Sequence, residues 1–140
     1  MALAIVVTLE KNLPTPDAQA AYAKTKTGKG LAREVDRLDV VIRNRSISTV
    51  VSLLSENQAV LRAQMEAEGF DPSKMRLPPE RWFDPAEGLK TVRALSEHVA
   101  AHLNDFKQPN AILRDLKAAE VLLAAAQTAG VKFHFTKTEW

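Results

Sequence analysis

The 140-residue sequence lacks cysteine altogether. That absence excludes disulfides, thiol nucleophiles and cysteine metal sites. The sequence also lacks any apolar run near the roughly 20 residues that a membrane-spanning helix needs. No basic cluster precedes its apolar start, so we expect no signal peptide. These absences favour a cytoplasmic protein that folds as one globular domain over residues 1–140.

A marked excess of one charge sign is lacking too, because 19 Lys and Arg against 17 Asp and Glu leave a net charge of +2. A nucleic-acid-binding domain would concentrate basic residues on one face and often interleave aromatic residues for stacking. The nearest basic cluster is formed by Lys24, Lys26 and Lys29, and its only aromatic neighbour is Tyr22. Nucleic acid is therefore not the expected partner, but the three lysines stay candidate binding residues.

Both ends of the sequence have the two-residue alternation of a β-strand, which predicts a first strand over residues 3–10 and a second over the last ten residues. Two strands alone are marginally stable in water, so this pair must pack on helices or gain partners from another segment or subunit. We expect one face of each strand in the core and the other face of the second strand in water. The expected core faces are Leu3, Ile5, Val7 and Leu9, and Val131, Phe133 and Phe135; the expected polar face is Lys132, His134 and Thr136. This polar face could point either to solvent or toward the helix that carries His98.

The middle of the chain is predicted to be mainly helical, because its apolar residues recur at three- and four-residue steps. Residues 12–30 have a composition suited to a mobile loop that contains at most one short helical turn. Residues 47–54 fit either a short strand or a turn of helix. The prediction is an α+β fold with three to four main helices on a small sheet formed by the N- and C-terminal strands. The first expected helix begins at Leu31, and the second spans residues 57–68 with Gly69 as a stop. The third runs from Asp84 to near Pro109, and the fourth from Asn110 to Gly130.

The most informative stretch is residues 78–95, which contains a nearly complete helix-start signal. Asp84 is a good N-cap, and Pro85 suits the first helical position because its missing N–H would be unpaired there anyway. Gly88 in the first turn costs stability, so we expect it to make room for a close neighbour such as Trp82.

Arg81, Trp82 and Phe83 stand just before this cap and have two interpretations. As a recognition surface, they would supply residue types that are common at binding hot spots. As a hydrophobic clasp, the two aromatic rings would fold down and close the core. The clasp is the favoured interpretation, and the three residues are also the main binding candidates.

Here the sequence resembles a family of short bacterial proteins without an established activity. The resemblance rests on the run Trp-Phe-Asp-Pro-Ala-Glu-Gly-Leu-Lys-Thr-Val-Arg-Ala-Leu, the opening Ala-Ile-Val-Val-Thr-Leu-Glu and the closing Gly-Val-Lys-Phe-His-Phe. Residues 31–39 are similar to a Leu-Ala-x-Glu-x-Asp-x-Leu-Asp-type helix of that family. The resemblance touches most of the chain, but it implies no catalytic residue.

His98, His102 and Asp105 form the sharpest chemical hypothesis, because their spacing brings them onto one strip of a helix. Three such ligands could hold a zinc ion with one open position. The metalloprotease signature needs a glutamate directly after the first histidine, and Val99 stands there instead. A polar border beside the apolar stripe is therefore the favoured interpretation.

Other motifs give weaker signals. Gly28-Lys29-Gly30 fails the phosphate-loop pattern, because neither the earlier glycine nor the following Ser or Thr is present, so a flexible solvated loop is expected. Asp36 and Asp39 could be an acid/base pair, but arginines surround them, and an exposed ion-pair network is favoured.

In the absence of a convincing catalytic constellation, we expect a small intracellular binding protein of an immunity or regulatory type, with no cofactor and with another protein as its partner. The alternative is a small enzyme or metal-binding protein that uses His98, His102 and Asp105. A further hypothesis is a homo-oligomer in which the terminal strands pair across subunits. Whether the protein is an enzyme is left open by the sequence.

Overall fold

The computed structural model describes residues 3–14, 17–25, 28–43, 45, 47–55, 58–74 and 80–139. Its described residues form an α+β fold, as predicted, with five helices packed on a two-stranded sheet. The elements are β1 (Leu3–Leu9), α1 (Asp17–Thr25), α2 (Lys29–Arg43), α3 (Gln58–Ala67), α4 (Pro85–Ala101), α5 (Pro109–Ala129) and β2 (Phe133–Glu139).

The sheet joins the two terminal strands within one chain. They are antiparallel, with Leu3 opposite Glu139 and Leu9 opposite Phe133. The apolar faces pack inward as expected, since Ile5, Val7, Phe133 and Phe135 are buried, whereas Leu3 near the open end is exposed.

The free side of β2 is paired with two short segments. Phe83 forms an antiparallel bridge with Phe133, and Leu54 forms a parallel bridge with Phe135. Leu54 directly follows a 3-10 turn at Val51–Leu53. The ambiguous residues 47–54 therefore contain both a helical turn and a strand-like contact.

The outer side of β1 is hydrogen-bonded as well. The Ile5 N–H donates to the Gly28 carbonyl at 3.1 Å, and the Val7 N–H donates to the Tyr22 hydroxyl at 2.8 Å. Gly28 has a φ of +110°, and a Cβ there would overlap the Ile5 carbonyl oxygen. Only glycine fits this approach.

The prediction of a loop over residues 12–30 is therefore wrong in part. Residues 17–25 form α1, and Gly28 and Gly30 are buried rather than solvated. A Cβ on Gly30 would lie only 3.0 Å from backbone atoms of α5. The sequence pattern predicts flexibility at Gly28 and Gly30, but in the structure these glycines permit close packing against β1 and α5. The mobility of residues 12–30 stays a prediction.

Helices α4 and α5 pack against each other, against α2 and behind the sheet, and they supply much of the core. The start of α4 is as predicted: Asp84 Oδ1 accepts from the Ala86 N–H at 2.9 Å, and Pro85 follows. Gly88 does make room for a neighbour, but the neighbour is Phe133 rather than Trp82, because a Cβ on Gly88 would lie 2.5 Å from the Phe133 ring.

Two helix boundaries and one expected packing contact differ from the sequence prediction. Helix α4 ends at Ala101, because His102 leaves helical geometry with φ −134°, and Leu103 is consequently exposed. Helix α5 begins after Gln108 rather than Asn110. Gly69 closes α3 at φ +88°, as predicted, but Phe70 is 55% exposed instead of packing back.

Candidate functional site

A buried histidine, His134, lies at the centre of a group that we call the His134 cluster, whose other members, Thr8, Glu80, Trp82 and Thr136, are half-buried. His134 is only 2% exposed. Its Nε2 lies 3.3 Å from Glu80 Oε2, and its Nδ1 lies 3.1 Å from Thr136 Oγ1, which in turn lies 2.9 Å from Thr8 Oγ1. The Trp82 ring packs on the imidazole with 4.3 Å between centroids.

The hydrogen bonds around the ring define the role of one nitrogen. A carboxylate is an acceptor, so Nε2–H donates to Glu80. Nδ1 lies within hydrogen-bond distance of the Thr136 hydroxyl, at 3.1 Å, and of the Phe135 carbonyl, at 3.2 Å. Both ring nitrogens therefore have a polar partner.

The Thr136 hydroxyl, the His134 imidazole and the Glu80 carboxylate are linked in the order of a nucleophile, a base and an orienting acid. A nucleophile must also reach its substrate. His134 is buried and Trp82 packs on its ring, so the arrangement leaves the base enclosed. What the cluster does is hold residues 80–82 against the sheet.

The predicted wet face of β2 is thus wrong at His134. The cause is that the segment before α4 folds over this face and supplies Glu80 and Trp82. Sequence reasoning placed Trp82 against its own helix and missed Glu80 and Thr136 as partners. The ring contacts of His134 are with this cluster and not with α4, which carries His98.

The binding candidates Arg81, Trp82 and Phe83 lie on a backbone that is held in place. The Arg81 N–H donates to Ser55 Oγ at 2.7 Å, and Phe83 exchanges two backbone hydrogen bonds with Phe133, at 2.7 and 3.0 Å. Arg81 is exposed, with its guanidinium carbon 5.1 Å from the centroid of the Phe83 ring, while Trp82 and Phe83 are half-buried. The segment is both a clasp on the sheet and a partly exposed surface.

Of the three lysine candidates, the structure describes the side chain of Lys29, which is the first residue of α2. Lys26 and the side chain of Lys24 lie outside the residues that the structure describes.

The predicted metal ligands come together only in part. The His98 and His102 rings stack at 4.2 Å between centroids with 19° between their planes, and His102 Nδ1 lies 3.0 Å from the His98 carbonyl oxygen. Asp105 lies beyond the end of α4, on a 3-10 turn. Over the described parts of the chain, no group of three or more His, Asp or Glu residues could hold a metal ion. The geometry therefore does not support the three-ligand zinc site.

His98 instead lines a surface cavity that we call the His98 cavity, of about 270 Å³, with Arg37, Val41, Asp105 and Phe106. The His98 Nδ1 is buried and has no hydrogen-bond partner among the described residues. Arg37 donates from Nη1 to the Asp105 carbonyl oxygen. Buried polar atoms are normally paired, so the unpaired ring nitrogen marks this cavity.

The surroundings of His98 favour its neutral form. Burial lowers the pKa of His98 from its ordinary value of 6.5, and the electrostatic effects of His102 and Arg45 lower it further. The Asp105 carboxylate opposes these effects. A neutral imidazole can accept a hydrogen bond as well as donate one.

Asp39 is not part of an exposed ion-pair network, as the sequence suggested. It is buried, with Oδ1 accepting from the Val50 N–H at 2.8 Å and Oδ2 from the Val51 N–H at 3.1 Å. Burial raises the pKa of Asp39, and the two backbone hydrogen bonds oppose that rise. Asp115 plays a related role, since its Oδ2 accepts from the Leu31 N–H at 3.1 Å. Both carboxylates fix backbone.

Comparison of the chain with protein-family models, with curated proteins and with solved structures finds no match. The resemblance to a family of short bacterial proteins therefore stays a prediction. Within the described ranges, no helix is long and apolar enough to cross a membrane.

Proposed function

We propose that this chain is a small binding protein of an immunity or regulatory type, which recognises another protein through Arg81, Trp82 and Phe83 and carries out no reaction itself. The cytoplasm is the proposed location, and no cofactor is part of the proposal.

One observation carries the proposal: an arginine and two aromatic residues are presented on a backbone that is hydrogen-bonded to Ser55 and to β2. Arg81 and Phe83 are fixed by hydrogen bonds to Ser55 and Phe133, and the Trp82 ring rests on the buried imidazole of His134. Trp and Arg are the residue types that most often dominate binding energy. Ordering them before binding reduces the entropy lost on association.

A second copy of the chain is a weaker candidate for the partner. The terminal strands pair with each other, and two outward-facing N–H groups of β1, those of Ile5 and Val7, already have acceptors. Fewer groups are left for a strand from another subunit. The alternative function, a small enzyme or metal-binding protein using His98, His102 and Asp105, is favoured only by the His98 cavity and its unpaired ring nitrogen.

The test is quantitative capture from the native host with three tagged proteins: wild type, Arg81→Ala and Arg114→Ala. Arg114 is an exposed arginine on α5 and serves as the matched control. We expect a stoichiometric partner with wild type and Arg114→Ala, and a loss of about tenfold or more with Arg81→Ala, the size of a hot-spot effect.

Two results would contradict the proposal. One is the absence of any stoichiometric partner after cross-linking in cells. The other is equal recovery of the partner by Arg81→Ala and wild type, which would place the binding surface elsewhere. Light scattering on the purified protein gives its mass and decides whether a second copy is the partner.

A further inference from the structure

We infer that Asp39 is a positioning residue for the recognition segment Arg81, Trp82 and Phe83, and that it acts through the turn at Val51–Leu53. Asp39 lies on α2 and is only 3% exposed, so it does not meet a partner itself. Its role in recognition rests on the proposed function, whereas its connection to the segment does not. That connection, which we call the Asp39 path, consists of hydrogen bonds and one peptide bond through Asp39, Val51, Leu54, Ser55 and Arg81.

The path begins at the buried carboxylate. Asp39 Oδ1 accepts from the Val50 N–H at 2.8 Å, and Oδ2 accepts from the Val51 N–H at 3.1 Å. Backbone donors at the start of a helical turn have no acceptor within the turn, so a side chain must supply one. Hydrogen bonds to a carboxylate are about twice as strong as those between neutral groups. Asp39 therefore fixes the direction in which the backbone enters the turn.

The turn passes this constraint on to Ser55. The Val51 carbonyl accepts from the Leu54 N–H at 3.2 Å, so the residue that Asp39 holds by its N–H in turn holds Leu54 by its carbonyl. Hydrogen bonds in series polarise and strengthen one another. Ser55 follows directly, and its N–H donates to the Phe135 carbonyl at 3.0 Å. The position of Ser55 on β2 thus depends on the geometry of the turn.

Ser55 connects the turn to the recognition segment. Its Oγ accepts from the Arg81 N–H at 2.7 Å. Phe83, by contrast, is hydrogen-bonded to the Phe133 backbone directly. The segment therefore has two supports, of which the one at Arg81 depends on the turn and the one at Phe83 does not. A shift of Ser55 should move Arg81, which is the exposed residue of the segment.

The other contacts of the turn do not replace the carboxylate. Val50 and Leu53 are buried in the core, and the Thr91 hydroxyl donates to the Ser48 carbonyl just before the turn. Apolar burial holds the turn against the core but is non-directional, whereas a hydrogen bond has a preferred angle. Loss of an acceptor at Asp39 should therefore change the direction of the backbone without unfolding the turn.

The experiment measures amide hydrogen exchange by NMR in wild type, Asp39→Asn and Asp115→Asn. Asparagine keeps the shape of the side chain but offers one acceptor oxygen instead of two. Asp115 is the matched control, because it is also 3% exposed and accepts from the backbone N–H of Leu31, outside the path. We expect the Arg81 amide to exchange about tenfold faster in Asp39→Asn and to stay within about twofold of wild type in Asp115→Asn. The Phe83 amide should be unchanged in both variants.

Ser55→Ala tests the path from its other end and leaves Asp39 intact. Coupling between two sites is reciprocal, so the Val51 amide should exchange about threefold faster or more in this variant, although its acceptor is unchanged. Ser73→Ala, at an exposed serine outside the path, is the control and should leave the Val51 amide as in wild type. Ser55 is only half-buried, so this variant is expected to fold and decides the inference even if Asp39→Asn does not.

Capture of the partner then tests the role in recognition. Asp39→Asn should recover about threefold less partner than Asp115→Asn. The inference is overturned if the Arg81 amide is unchanged in Asp39→Asn, if Asp115→Asn accelerates it equally, or if the Val51 amide is unchanged in Ser55→Ala. Full capture by Asp39→Asn, where Arg81→Ala loses the partner, would overturn it as well. Full capture by Arg81→Ala contradicts the proposed function instead, and the exchange rates still decide whether Asp39 positions Arg81.

Discussion

The protein has two histidine regions, and they differ in almost every physical respect. In the His134 cluster the imidazole is buried, both of its nitrogens are paired, and an aromatic ring covers it. At the end of α4, His98 and His102 are partly or largely exposed, stack on each other, and leave one buried nitrogen unpaired.

This difference separates a histidine that stabilises the fold from one that does not. A fully satisfied polar group inside a fold fixes neighbouring segments. A buried polar atom without a partner costs stability instead of adding to it. We therefore expect His134 to stabilise the fold and His98 to contribute little, and the following predictions test that division.

The largest effect is expected for His134→Ala. The change removes a buried ring, leaves the Glu80 carboxylate and the Thr136 hydroxyl without their partner, and takes away the support of Trp82. We expect a loss of about 2–4 kcal/mol in the free energy of unfolding, measured by urea denaturation. His102→Ala is the control and should lose less than about 0.5 kcal/mol. Similar losses for both variants would contradict a special role of His134 in stability.

The next largest effect is expected for Trp82→Ala. The indole is half-buried and packs on the imidazole, so its removal should cost roughly 1–3 kcal/mol. Phe70→Ala, at a largely exposed aromatic position, should stay within about 0.5 kcal/mol of wild type. A Trp82→Ala protein as stable as Phe70→Ala would show that residue 82 does not act as a clasp.

A smaller effect is expected for Thr136→Val, which keeps the shape of the side chain and removes the hydroxyl between Thr8 and His134. One hydrogen bond to His134 Nδ1 and one to Thr8 are lost, and the expected destabilisation is about 1 kcal/mol. Thr128→Val on α5 removes an exposed hydroxyl and serves as the matched control. No difference between the two variants would remove Thr136 from the cluster.

The smallest effect is the pH dependence from His98. Its pKa is lowered in the folded state, so between that pKa and 6.5 the unfolded chain binds more protons, and stability falls as the pH falls through this window. NMR titration should show a pKa for His98 that lies below its ordinary value of 6.5. In His98→Gln this contribution to the pH dependence should disappear; an unchanged profile would assign it to other groups.

The sequence was a good guide where a local signal decides the structure. The alternation at both ends predicted the strands, Asp84 and Pro85 predicted the start of α4, and Gly130 does close α5 at φ +70°. In each case the residues that carry the signal lie next to the feature that they determine.

Sequence reasoning failed where a distant segment decides the outcome. The pattern of β2 separates its two faces, but it does not say that residues 80–82 cover the face of His134. The arginines around Asp39 suggested an exposed ion-pair network. The N–H groups that donate to its carboxylate, those of Val50 and Val51, lie in a later turn. The end of α4 at Ala101 has no adjacent glycine or proline to signal it.

The pairing of β1 with β2 affects the order in which the elements can fold during synthesis. Leu3 meets Glu139, so the sheet joins segments separated by nearly the whole described chain. During synthesis β1 must wait for β2, while the helices between them can form from local contacts. Until β2 has been synthesised and can pair with it, β1 is an apolar strand without its neighbour, and this is the stage at which aggregation is most expected.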